Sequence, residues 1–281
     1  MTTAQVETSS LKNVAGPIVL VGAGKMGSAM LDGWIALGLD PSQVAVIEPQ
    51  PASEISALTV RGLRLNPEPR AVSDPAVIVI AVKPQVAAEV VPAAARFVGR
   101  STVVVSIMAG QRLASLERAL PAGSAVVRTM PNTPAAIGRG ITVAVANARV
   151  SPQQRDLAHR LLAAVGVVEW VEDEGLLDAV TAVSGSGPAY VFLLAEALAQ
   201  AGTAAGLPAE LAARLARATV AGSGELLHRS PLEAATLRRN VTSPGGTTEA
   251  ALGVLMGEHG LAPLMGQAVA VATRRSRELA G

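Results

Sequence analysis

Three glycines, Gly22, Gly24 and Gly27, stand in the pattern G-x-G-x-x-G within the run Gly22-Ala23-Gly24-Lys25-Met26-Gly27. Each has its own physical reason if the run cradles a pyrophosphate. The first permits a tight turn, the second lets the backbone approach the phosphates, and the third lets a helix pack close to the preceding strand. The helix that follows then offers free N–H groups and the positive end of its dipole. A structural turn can carry the same letters, so context decides. Here the run follows the apolar stretch 18–21 and precedes Met30, Leu31, Trp34, Ile35 and Leu37 at helical spacing, with Gly38 as a helix end. That context points to a dinucleotide site.

Glu48 lies 21 positions beyond Gly27, at the end of a second apolar run, 44–47. A carboxylate there accepts a hydrogen bond from the ribose 2′-hydroxyl of NAD and opposes the 2′-phosphate of NADP. No Lys or Arg lies between Asp40 and Val60 to offset it. A solvated strand-end carboxylate is the plainer alternative. Ala81-Val82-Lys83-Pro84 and Ile107-Met108-Ala109-Gly110 fall at the ends of two more apolar runs. Ligands in open α/β sheets bind beyond the carboxyl ends of strands, so both segments are placed to line a cofactor cleft. Lys83 is then a phosphate or substrate contact, or else a surface lysine. Met130-Pro131-Asn132-Thr133-Pro134 is stiffened by two prolines. It reads as a wall of the nicotinamide pocket or as a rigid connection.

A second run, Val241-Thr242-Ser243-Pro244-Gly245-Gly246-Thr247-Thr248-Glu249, opens a helix near Thr247. Free N–H groups at such a start bind an anion, here a carboxylate. The alternative is an ordinary N-cap, which would use one hydroxyl of the four. Ser184-Gly185-Ser186-Gly187-Pro188 resembles another helix start, and its small residues suit close packing.

The rest of the inventory is sparse. Cys is 0 and His is 3 in 281 residues, which excludes disulfides, thiolate metal sites and a Cys nucleophile, and gives no basis for a metal centre. Aromatics at 2% provide no stacking platform for single-stranded nucleic acid. The formal charge of +1 gives no pull towards phosphate backbones. Hydrophobic residues reach 50% and mean hydropathy is +0.41, so the chain must bury a large surface in a core or between subunits.

The elements that must position these residues change character along the chain. Runs 18–21, 44–47, 77–82, 102–107 and 125–130 are Val/Ile-rich without alternation, as in strands buried on both faces of a parallel sheet. Helical patterns at 86–98 and 113–120 lie between them, and 141–146 and 167–171 read as strands around a helix at 153–165. From Glu172 onward only helical patterns remain: 189–205, 208–227, 232–239, 247–256 and 261–279. The expected fold is α/β, a mostly parallel doubly wound Rossmann sheet followed by an all-helical domain. The division is 1–16 as a disordered polar tail without a signal-peptide core, 17–171 as the dinucleotide-binding domain, and 172–281 as the helical domain. The uncharged stretch between Asp178 and Glu196 is interrupted by Ser184-Gly185-Ser186-Gly187-Pro188, which should break a membrane-spanning helix. A soluble cytoplasmic protein is expected.

Taken in order, these segments resemble the pyrroline-5-carboxylate reductase family. The run from Val241 to Thr248, with Ala250-Ala251-Leu252 behind it, looks like that family's signature. Residues 184–190, Ala81 to Pro84, Met130 to Pro134 and the glycine loop fall in the family's order, and the resemblance extends from about Pro17 to Leu279. It implies reduction of the imine of 1-pyrroline-5-carboxylate to L-proline with NAD(P)H, the last step of proline biosynthesis. It also implies a helical dimerisation domain, with dimers assembling into rings, commonly decamers. By resemblance, Gly22, Ala23, Gly24, Lys25, Met26, Gly27, Ala81, Val82, Lys83, Pro84, Ile107, Met108, Ala109 and Asn240 contact the cofactor. Ser243, Gly245, Gly246, Thr247 and Thr248 hold the substrate, the Thr248 hydroxyl bonding the ring nitrogen as the catalytic group, and Glu174 is a substrate-side carboxylate. NADP(H) is the family's expected cofactor; Glu48 departs from the small or basic residue often found there and points to NAD(H). A β-hydroxyacid dehydrogenase of the same architecture is one alternative, but residues 172–281 lack the lysine its chemistry uses. A non-catalytic nucleotide-binding module is the other.

Overall fold

The computed structural model describes residues 10–280. In chain order the elements are β1 (Ile18–Val21), α1 (Lys25–Ala36), β2 (Val44–Ile47), α2 (Ser53–Ala57), β3 (Arg64–Leu65), β4 (Val77–Ile80), α3 (Ala87–Ala95), β5 (Val103–Ser106), α4 (Leu113–Ala119), β6 (Ala125–Met130), β7 (Gly140–Ala146), α5 (Pro152–Ala163) and β8 (Gly166–Trp170). Six helices follow: α6 (Leu176–Val180), α7 (Gly187–Ala204), α8 (Ala209–Arg229), α9 (Ala234–Asn240), α10 (Thr247–Leu255) and α11 (Leu261–Leu279). The chain divides into two compact units, described separately below: 10–185 with 273–280, and 186–272.

The first unit is an eight-stranded sheet in the order β3-β2-β1-β4-β5-β6-β7-β8. Pairing is parallel from β3 to β6, antiparallel between β6 and β7, and parallel again between β7 and β8. Alternate residues of the Val/Ile runs feed two separate cores. Ile18, Leu20, Val44, Val46, Val77 and Val79 face one, with Met30, Leu31 and Trp34 of α1. Val19, Val21, Ala45, Ile78 and Ile80 face the other, with Val91 of α3 and Leu116 of α4. Side chains alternate across a strand, so runs without polar alternation mark strands covered on both sides. Trp34 is fully buried, and its Nε1–H donates to the Leu161 carbonyl of α5 at 2.8 Å, fixing α1 in rotation against its neighbour.

The structure corrects the sequence reading at three boundaries. Residues 10–16 are not a loose tail: Leu11 and Val14 are core, and the Leu11 N–H donates to the Leu37 carbonyl at 3.0 Å. The part of the expected tail before residue 10 lies outside the described residues. The first compact unit extends to Gly185 rather than ending at 171, because Leu177 packs with Val143 and Val145. Asp178 also accepts from Ser276 Oγ at 2.7 Å, which ties the end of α11 to the same unit. Finally, Ser184-Gly185-Ser186-Gly187-Pro188 does not end the helix. A π-helical turn at Thr181–Gly185 carries the backbone on towards α7. Residues 176–204 are therefore one helical stretch long and apolar enough to cross a membrane, the only one among the described residues. Three short elements, β3, α2 and α6, were not expected; each is too brief to show a period.

In the second unit α7 packs on α8 through small residues. A Cβ at Gly202 would lie 3.3 Å from the Ala212 Cβ, and Ala212 and Ala216 are buried. Most of its large apolar side chains are not covered within the chain: Phe192 is 68% exposed, Leu193 62% and Val254 76%. Apolar exposure on this scale marks an association surface. Sedimentation velocity across the micromolar range is expected to show dimers or multiples of dimers. A concentration-independent monomer would contradict this reading.

Candidate active site

The glycine loop leaves β1 and opens α1. Gly22 has φ +90°, and a Cβ on it would stand 2.7 Å from both the Ala81 carbonyl oxygen and Val82 Cγ1. A Cβ on Gly27 would run into the Gly22 carbonyl oxygen. Both glycines are therefore required by packing inside the chain. Gly24 differs: a Cβ there would meet no atom within 4 Å. It is the N-cap of α1 and supplies no side-chain cap, so the first N–H groups of the helix stay open. These residues fit a pyrophosphate, and Gly24 is the position in the loop where nothing inside the chain excludes a side chain.

Glu48 is held firmly beside this loop. Its Oε2 accepts from the Ala23 N–H at 2.9 Å and its Oε1 from the Gln50 N–H at 3.0 Å. Asn66 clamps its backbone in two directions: the Glu48 N–H donates to Asn66 Oδ1 at 2.8 Å, and Asn66 Nδ2 donates to the Glu48 carbonyl at 3.0 Å. Asn66 adopts φ +48°, a left-handed conformation that asparagine tolerates better than most residues. Sequence reasoning passed over it, although the Asn66-Pro67 pair is a turn signal. A cavity of about 310 Å³ opens beside Glu48, lined also by Gly22, Glu68, Glu89 and Arg96.

The other expected cofactor segments lie at strand ends as anticipated. Ala81 and Val82 follow β4 and are half-buried, while Lys83 is exposed where the chain turns into Pro84. Ile107, Met108 and Ala109 follow β5. The Met108 side chain is only 1% exposed and belongs to the core, so the cofactor contact expected of it falls to its backbone. Asn132 of the two-proline loop donates from Nδ2 to Ser184 Oγ at 3.2 Å and accepts from the Ile141 N–H at 3.0 Å. The loop is thus braced within its own unit, and the small residues near Ser184 serve packing: a Cβ on Gly185 would strike Met130 Cε.

Glu174 makes contacts the sequence did not suggest. Its Oε1 accepts from the Leu113 N–H at 2.7 Å and from Arg128 Nη1 at 2.7 Å. Arg128 is buried in β6, and its isolation in an otherwise uncharged run was the available signal.

In the helical unit, the hydroxyl-rich loop joins α9 to α10. Thr242 Oγ1 donates to the Arg238 carbonyl at 2.7 Å, and the Gly245 N–H donates to Glu249 Oε2 at 2.7 Å. The N-cap of α10 is Gly246, with no side-chain cap. The hydroxyls of Ser243, Thr247 and Thr248 therefore do not cap the helix, and Thr247 and Thr248 are exposed. The N–H groups of Thr247, Thr248 and Glu249 have no carbonyl partner in the loop. The arrangement is an open row of donors with two hydroxyls beside it. Asn240 ends α9 and is also exposed. Among the described residues no group of three or more His, Asp or Glu side chains could share a metal ion.

Comparison with known proteins decides the assignment. Over 266 residues the chain is 43% identical to the pyrroline-5-carboxylate reductase of Pseudomonas aeruginosa, covering 94% of this chain and 96% of that one. The chain belongs to the pyrroline-5-carboxylate reductase family. The reductase of a Synechocystis strain is 41% identical, with 92% and 97% covered. Residues 174–279 match the family described as pyrroline-5-carboxylate reductase dimerisation, so self-association belongs to this half of the chain. Residues 17–110 match the family described as NADP oxidoreductase coenzyme F420-dependent. The Coxiella burnetii reductase has the same fold, with a TM-score of 0.88, 34% identity and coverage of 95% of this chain and 100% of that one. A Plasmodium falciparum pyrroline carboxylate reductase solved with NADP bound gives 0.79 at 27% identity, with 96% and 99% covered. Membership of a reductase family sets aside both the β-hydroxyacid dehydrogenase and the non-catalytic module.

The two kinds of glycine in the loop separate by experiment. Gly24→Ala is expected to leave the melting temperature unchanged and to weaken NADH binding about tenfold, since the methyl group intrudes only on the ligand. Gly27→Ala is expected to lower both the melting temperature and the affinity, because it displaces the Gly22 carbonyl. Thermal denaturation and NADH fluorescence titration of both variants check this.

Proposed function

We propose that this chain reduces the imine of 1-pyrroline-5-carboxylate to L-proline with NAD(P)H, as the last step of proline biosynthesis. It acts as a cytoplasmic enzyme, without nucleic-acid or membrane partners, built from homodimers that assemble into larger rings such as decamers. The observation that carries the chemistry is the loop before α10, where the hydroxyls of Ser243, Thr247 and Thr248 and the first N–H groups of the helix have no hydrogen-bond partner within the loop. Loss of NAD(P)H absorbance with and without pyrroline-5-carboxylate tests the activity directly.

The nicotinamide supplies the hydride; the chain supplies position and charge. Gly22 to Gly27 and the start of α1 hold the pyrophosphate, with Ala81 to Pro84, Ile107, the Met108 backbone, Ala109 and Asn240 along the rest of the cofactor. The N–H groups of Thr247, Thr248 and Glu249 receive the substrate carboxylate at a helix N-terminus, with Ser243, Gly245 and Gly246 shaping the loop. The Thr248 hydroxyl bonds the ring nitrogen and keeps it oriented as the imine carbon becomes tetrahedral. A protonated imine is already electrophilic, so no strong base, nucleophile or metal is required and catalysis is mainly positioning.

The Glu48 carboxylate, fixed on the Ala23 N–H, supports use of NADH, because a 2′-phosphate brought beside it meets a like charge. Its partial exposure limits the effect through solvent screening.

Two variants test these roles. Thr248→Val keeps the shape and removes the hydroxyl. Losing a hydrogen bond of about 1–3 kcal/mol should lower kcat/KM roughly ten- to hundredfold, with cofactor Kd and Tm hardly moved. Thr247→Val should stay near wild type, because that residue acts through its N–H; the reverse pattern would exchange the two roles. For the cofactor, Glu48→Ser should move the ratio of kcat/KM for NADH over NADPH towards NADPH by about tenfold. Strong NADPH preference in wild type with no shift in the variant would mean that Glu48 does not meet the ribose.

A further inference from the structure

We propose that Glu174 is a positioning residue for the loop between β5 and α4, acting with Arg128, and that it does not touch the substrate. The proposal rests on the reading that Ile107 to Ala109 face the nicotinamide nucleotide. Residues 107–112 make up that loop, and it turns through Gly110 at φ +74°. A glycine-containing loop of this length has no fixed shape of its own, so its ends must be staked.

Both ends are staked by polar groups brought from neighbouring elements. At the start, Ser106 closes β5: its carbonyl accepts from Thr129 Oγ1 at 3.0 Å, and its Oγ accepts from the Met108 N–H at 3.3 Å. At the finish, Leu113 is the first residue of α4, and its N–H donates to Glu174 Oε1. The helix's own N-cap, Arg112, provides no side-chain acceptor, so Glu174 supplies it from a distant part of the chain. The same oxygen accepts from Arg128, which sits opposite Ser106 in the β5–β6 register. The pair therefore ties the end of the loop to the strand beside its beginning.

Burial explains why the tie is ionic. The Arg128 side chain is 6% exposed and Glu174 28%. Two charges taken out of water are a poor means of stabilising a core, and well-packed apolar residues commonly serve as well. What the pair offers is direction, because charge-assisted bonds are short and oriented. A loop held this way keeps the backbone of 107–109 in one place before the nucleotide arrives.

The test separates loop positioning from substrate contact and from plain stability. NADH Kd is measured by fluorescence without substrate, and then KM for pyrroline-5-carboxylate and kcat are measured at saturating NADH. For Glu174→Ala the expected result is an NADH Kd raised about tenfold, with substrate KM within about twofold of wild type. Glu174→Gln retains a neutral acceptor for the Leu113 N–H and should recover most of the nucleotide affinity. If the unpaired Arg128 unfolds the alanine variant, the double variant Arg128→Met/Glu174→Ala removes that charge and carries the same expectation. A substrate KM raised tenfold with NADH Kd unchanged overturns the proposal in favour of direct contact. A lowered Tm with neither constant changed overturns it in favour of a purely structural pair. Gly24→Ala is the control: if it too leaves NADH Kd unchanged, the cofactor reading of these loops has failed, and not the role of Glu174 alone.

Discussion

A single methyl group does not fit between the start of α1 and the end of β1. The Gly22 carbonyl occupies the place where a side chain on Gly27 would begin, and the Ala81 carbonyl and Val82 crowd Gly22 in the same way. This approach brings the first turn of α1 against the carboxyl ends of the two central strands. Trp34, buried and bonded to Leu161, prevents the helix from rotating away. The sheet on both sides is covered by apolar layers, so the helix cannot retreat without opening a core. The open N–H groups at Gly24 follow from that packing.

The same device occurs twice. Both α1 and α10 begin at a glycine N-cap without a capping side chain. A helix start in water has donors to spare, and most proteins satisfy one with Ser, Thr, Asp or Asn. Here hydroxyl residues surround the start of α10 and still leave it uncapped. On the proposed function, with a pyrophosphate on the nucleotide and a carboxylate on the substrate, open helix starts would offer anion sites without burying a cation. This suits a chain with few ionisable groups to deploy.

Two carboxylates beside the glycine loop and the loop after β5 act on backbone. Glu48 takes the Ala23 and Gln50 N–H groups, and Glu174 takes that of Leu113. Each carboxylate is itself oriented, Glu48 by the Asn66 clamp and Glu174 by Arg128. Loops that must hold a shape without regular structure need such cross-links, because their own backbone bonds are incomplete.

The sequence alone was enough for the layered α/β half, its strand runs, the glycine loop and the hydroxyl loop, because each rests on local order. Unbroken Val/Ile runs need cover on both faces, and a glycine triplet between strand and helix has one common use. It also marked the switch to helices after Glu172. Contacts distant in sequence were beyond its reach. The core positions of Leu11 and Met108, the clamp from Asn66 to Glu48 and the bond from Glu174 to Leu113 join residues through space, and no period or motif announces them. The π-helical turn at Thr181–Gly185 was hidden for a related reason: glycine and proline signal a break, and only the packing of Gly185 on Met130 and of Asn132 on Ser184 shows how the backbone continues. Local patterns specify which elements form; which side chain reaches which backbone group is decided only when the elements are packed.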